Sequence, residues 1–145
     1  MGAIPYGGSG CQVWRHGTTD WSHVGTLRPD LDDAGNGSVR WTIPLASMGL
    51  ASGDVVRFDV ATSDADPGSP GVDHLSRSDI ATPNWKTPSV AGEFLEYQVT
   101  DTPGSETYVD TFGDVFAHPN LDIMWTIVGH DATNLYLTVK VNGDL

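Results

Sequence analysis

Apolar residues in this chain alternate with polar ones over short runs, and no stretch holds a helical spacing for long. Val39, Trp41 and Ile43 alternate with Arg40 and Thr42, the period of a half-buried strand. Pro44 removes a ladder donor and ends that strand. The following LASMGL is too short for a free-standing helix and predicts one helical or 3₁₀ turn. Gly53-Asp54 signals a turn, and residues 55–61 predict a second strand with Val56, Phe58 and Val60 on one face. Residues 93–99 alternate so that Leu95, Tyr97 and Val99 share a face. Residues 121–128 and 135–141 read as two strands of a hairpin around a turn at 129–134.

Weaker patterns fill the gaps. Residues 1–10 are Gly-rich and read as a loop or loose arm. Short strands are expected at 11–16 and 21–24, around a turn at 17–20, and at 106–110. Residues 27–38 are a loop by composition. Residues 64–87 form a long, polar, Pro-interrupted connection. Within a compact domain, such a connection is expected to be functional or to be pinned by a metal or by short strand pieces. The chain ends in an Asn-Gly turn signal with no strand after it.

A length of 145 residues suits one domain, and 17 glycines with 9 prolines favour a turn-rich, all-β, antiparallel architecture. Net charge is −12, so nucleic acid and anionic membranes are unfavourable partners. No apolar run is long enough to span a bilayer, and the first ten residues lack the basic and apolar regions of a signal peptide. Cys11 is the one cysteine, which excludes an intrachain disulfide and an all-cysteine zinc site.

Residues 38–68, SVRWTIPLASMGLASGDVVRFDVATSDADPG, resemble the later half of β-sandwich modules of the family 9 carbohydrate-binding and DOMON-like type. They also resemble domains of exported bacterial proteins with a PEP-type sorting signal. Residues 71–99 resemble the closing segment of that fold, and residues 110–145 its opening hairpin, with D-x-x-N-L-Y and NGD phrases. The resemblance implies an antiparallel β-sandwich, of jelly-roll or immunoglobulin-like type, and an extracellular or cell-surface setting. It departs from the family in order, because the opening-like hairpin ends the chain. A circular permutant, one repeat cut from a larger array, and completion of a neighbour's sandwich all fit that order.

Candidate chemistry falls into four groups. Asp30 and Asp32, and separately Asp64, Asp66 and Asp73, cluster oxygen ligands suited to a calcium ion that fastens a loop. The competing reading is ordinary turn aspartates. Trp85 lies in a Pro-flanked loop, and Trp14 and Trp21 flank a turn beside Arg15. These four are the candidate sugar-binding residues, since indole rings offer apolar platforms to sugar CH faces and arginine hydrogen-bonds hydroxyls. Trp41 and Trp125 follow strand patterns and are expected in the core. His16 and His23 could meet across a hairpin. No nucleophile elbow, phosphate loop or cofactor fingerprint is present. The functions expected are a non-catalytic, calcium-stabilised glycan-binding module or, alternatively, a fibre or surface-layer subunit that self-associates through the C-terminal hairpin.

Overall fold

In a computed structural model, the chain is described over residues 2–6, 10–16, 21–27, 30–33, 37–62, 73–75, 94–111, 113, 115 and 121–143. Up to residue 33, and at Ala61 and His74, the description is of the backbone. The strands are β1 (Gly2–Tyr6), β2 (Gly10–His16), β3 (Trp21–Leu27), β4 (Asp30–Asp33), β5 (Ser38–Pro44), β6 (Val55–Phe58), β7 (Ala61–Thr62), β8 (Asp73–His74), β9 (Leu95–Gln98), β10 (Gly104–Val109), β11 (Ile123–His130) and β12 (Asn134–Val141). One helical turn, α1 (Leu45–Met48), follows β5. All strand pairs are antiparallel.

The largest sheet has the order β10-β11-β12-β5-β4. The β11–β12 hairpin sits at its centre, with β12 paired to β5 through Leu135–Ile43, Leu137–Trp41 and Val139–Val39. The C-terminal hairpin is therefore bracketed on both sides by strands of its own chain. A three-stranded sheet runs β1-β2-β3, and β6-β9 and β7-β8 form two-stranded ladders. Trp41, Ile43, Val128, Leu135 and Val139 of the large sheet share one buried cluster with Val56 and Phe58 of β6, and Tyr97 and Val99 at β9. Leu45 and Met48 of α1 cap that cluster. Gly49 ends the turn at φ 65°, a left-handed conformation that glycine adopts without a Cβ clash.

Several expectations change. Gly2–Tyr6, expected as a loose arm, pairs with β2 from Gly2–Trp14 to Tyr6–Gly10, because strand pairing supplies the order that its own composition does not. The expected loop 27–38 contains β4, which pairs with β5 through a register shift. The expected strand 55–61 stops pairing at Phe58 and resumes as β7. The long connection 64–87 carries the strand piece β8, pinned by the Leu75 N–H bond to Val60 O at 2.9 Å.

Trp41 is core, 8 % exposed. Trp125 is half-buried and lies outside the core cluster. The cause is a register shift between Ile123 and Trp125. Beyond it the inward residues of β11 are Thr126, Val128 and His130, so Trp125 and Ile127 turn to the opposite face.

Candidate functional site

The outer face of the large sheet follows from its register. Arg40, Thr42 and Pro44 are exposed between the buried Trp41 and Ile43, so they mark the side away from the core. Tyr136 pairs with Thr42 and Thr138 with Arg40. Ile127 pairs with Thr138, and Trp125 with Lys140. Thr107 pairs with Ile127 and Val109 with Trp125. The face thus carries two aromatic rings, Ile127, two cations and a scatter of hydroxyls. Val109 adds apolar surface at its edge, 76 % exposed. Asp30 and Asp33 hold the register positions opposite Arg40 and Ser38.

The Tyr136 end of this face is organised by the β11–β12 turn. Asp131 Oδ1 accepts the Thr133 and Asn134 backbone N–H groups at 2.7 and 2.8 Å. Tyr136 Oη donates to Asp131 Oδ2. These bonds hold the Asp131 carboxyl far below the usual carboxylate range, the Tyr136 hydroxyl contributing most, and they raise the Tyr136 phenol. The Arg40 guanidinium lies 4.4 Å from the Tyr136 ring centroid, a cation–π contact. The half-buried ring is therefore fixed at its hydroxyl and on the face that Arg40 covers.

A second polar cluster lies near the start of β11. Asp122 is fully buried, and its two carboxylate oxygens accept the Gly113 N–H at 3.2 and 3.0 Å. Asn142 Nδ2 donates to Asp122 Oδ2 at 3.2 Å, and Asn142 N to Asp122 O at 2.9 Å. Asp73, a predicted calcium ligand, is buried at 6 % exposure, and its Oδ2 accepts the Ile123 N–H at 2.6 Å. Thr62 Oγ1 donates to Leu121 O. These bonds tie β7 and β8 to the entry of β11. Among the described residues no group of three His, Cys, Asp or Glu side chains is placed to hold a metal ion.

A third cluster joins β9 to β10. Tyr97 Oη lies 2.6 Å from His130 Nδ1 and 2.9 Å from Gly104 O. His130 Nε2 lies near both the N–H and the carbonyl of Thr100. Burial, followed by the Glu106 charge, raises the Tyr97 phenol. Tyr108 Oη lies 2.6 Å from both Glu96 O and Glu106 Oε2, and its ring meets Phe58 edge-on with centroids 5.1 Å apart. Its phenol is also pushed up, by burial first and by Glu106 second. The Tyr97, His130 and Tyr108 contacts to Gly104, Thr100 and Glu96 tie neighbouring strands together, which is a structural use of tyrosine and histidine.

Of the other predicted site residues, Trp85, Asp64 and Asp66 lie outside the described residues. Trp14 occupies β2 opposite His23, Arg15 lies opposite Ser22, and Trp21 lies opposite His16. His16 and His23 are therefore diagonal to one another. Asp30 and Asp32 fall within β4. The outer-face residues Trp125, Tyr136, Arg40 and Lys140 were not among the predicted ligand residues. Their signal lay in the alternation, but alternation alone does not say which face is buried. In comparisons with known proteins, no family model, curated protein or solved structure matches the chain.

Proposed function

We propose that this chain is a non-catalytic glycan-binding module of an extracellular protein, built as a β-sandwich and using the outer face of its large sheet. The observation that carries this reading is the arrangement of Trp125, Ile127, Tyr136, Arg40 and Lys140 on a face away from the shared core. Aromatic rings stack on sugar CH faces, and the neighbouring cations and hydroxyls hydrogen-bond sugar hydroxyls. The resemblance of residues 38–68, 71–99 and 110–145 to carbohydrate-binding sandwich modules supports the same class. Trp85, Trp14, Trp21 and Arg15 remain candidates for a second contact region. Calcium at Asp30, Asp32, Asp64, Asp66 and Asp73 is proposed as a loop fastener rather than as part of the ligand site.

Affinity gel electrophoresis across a broad glycan panel tests the reading. Retardation by at least one glycan, reduced in Trp125→Ala, is expected; no retardation with any glycan refutes it. A melting temperature that rises with calcium and falls with chelator is expected for the loop fastener, and an unmoved one rejects a tight site.

The edge strand β10 favours a second reading, a fibre or surface-layer subunit. It is exposed along nearly its whole length and, among the described residues, ends the large sheet, so an incoming strand could add there. Polymers in negative-stain images, abolished by Thr107→Pro, would support it.

A further inference from the structure

We infer that the outer face takes an extended, uncharged polysaccharide chain rather than a monosaccharide or an acidic glycan. The inference rests on the glycan-binding reading and names its ligand class. Gly129 pairs with Tyr136, and Trp125 lies four residues earlier on the same strand. At about 3.4 Å per residue along the strand and about 4.8 Å between strands, the two aromatic positions are about 14 Å apart. That separation exceeds one sugar ring, so a single hexose cannot use both platforms. Ile127 and Thr138, a cross-strand pair, occupy the ground between them. This gives a continuous track of ring, apolar and hydroxyl contacts running diagonally across β11 and β12.

The charge pattern selects against acidic glycans. The chain carries −12 overall, which repels polyanions at long range. Arg40 is committed to the Tyr136 ring. Tyr136 in turn is bonded to the carboxylate of Asp131. One cation, Arg40, and one carboxylate, Asp131, therefore both contact Tyr136 at that end of the track, while Lys140 lies at the Trp125 end. A donor beside an acceptor suits hydroxyls, which both donate and accept, better than it suits a run of carboxylates or sulfates.

Isothermal titration of the whole chain with cello-, xylo- and manno-oligosaccharides, from monosaccharide to hexamer, tests this beside oligogalacturonates of matched length. Affinity should climb with length in at least one neutral series and exceed that for the acidic series. Trp125→Ala should weaken the neutral hexamer by roughly tenfold. Trp125→Phe, which keeps a ring on the same strand, should recover most of that loss. Equal affinity for monosaccharide and hexamer, or tighter binding of oligogalacturonate, overturns the inference and leaves the glycan-binding reading standing. Absence of binding in every series defeats both. If sedimentation shows a dimer that Trp125→Ala dissociates, a second copy covers this face and the inference falls.

Discussion

Replacing Tyr97 by phenylalanine keeps a buried ring and removes a single oxygen from the cluster that joins β9, β10 and β11. Tyr97 is 3 % exposed and His130 5 % exposed, so water cannot readily replace the lost hydroxyl at His130 Nδ1. Gly104, the other partner, is exposed, and its carbonyl can be resolvated. Two proton arrangements satisfy the cluster. Nδ1–H can donate to Tyr97 while Tyr97 donates to Gly104 O, or Tyr97 can donate to Nδ1 while Nε2–H donates to Thr100 O. Phenylalanine strands Nδ1 in either arrangement. The lost bond is worth about 1 kcal/mol, and leaving a buried polar atom unpaired adds about 1–2 kcal/mol, so the expected cost is about 2–3 kcal/mol. With an m-value near 2 kcal/mol/M, the urea midpoint falls by about 1 M with m unchanged. The His130→Leu variant and the double variant complete a cycle, with an expected coupling of about 1 kcal/mol or more. A Tyr97→Phe cost below about 0.5 kcal/mol with no coupling would refute this reasoning.

Further outcomes follow from single observations. Gly37 sits at φ 64°, and a Cβ there would lie 1.7 Å from Gly143 O, so Gly37→Ala should cost at least about 2 kcal/mol in denaturant melts. Thr126 is fully buried, and its Oγ1 has no hydrogen-bond partner among the described residues; Thr126→Val should therefore stabilise the fold by about 1 kcal/mol and raise the melting midpoint. Asp122→Ala should cost about 2–4 kcal/mol, because Gly113 N–H and the Asn142 amide lose their shared acceptor. Asp131 has a folded-state pKa below its unfolded value. Its contribution is thus full above about pH 5, and it is lost as pH falls through the unfolded value near 4 toward the folded one. Asp131→Ala should flatten that acid limb when stability is followed against pH, and an unchanged slope would contradict the assignment.

Strands β5, β9, β11 and β12 were legible because each alternates on its own. Val39, Trp41 and Ile43 declare a buried side whatever they pack against, and they are paired with Val139, Leu137 and Leu135. Strands β1, β4 and β10 were less so. GAIPY, DLDD and GSETYV carry little alternation, and each is ordered by the partner strand beside it. The hairpin's pairing was open in the sequence for the same reason. Local patterning writes two complementary edges but not which edges meet.

The case of Trp125 separates the two levels most clearly. In LDIMWTIVGH the chemical pattern sets Ile123, Trp125 and Ile127 on one apolar face and Thr126 and His130 on a more polar one. That periodicity, with the turn signals at Gly53-Asp54 and Asn142-Gly143, determined an antiparallel β architecture. One extra residue at Met124 then reverses the faces of everything after it. Thr126 and His130 go inward, where His130 finds Tyr97 and Thr100, and Trp125 and Ile127 go outward beside Lys140 and Thr138. Because a side chain's face depends on strand phase, and phase depends on hydrogen bonds to another strand, only the tertiary structure could decide which aromatic residues form the core and which form the platform.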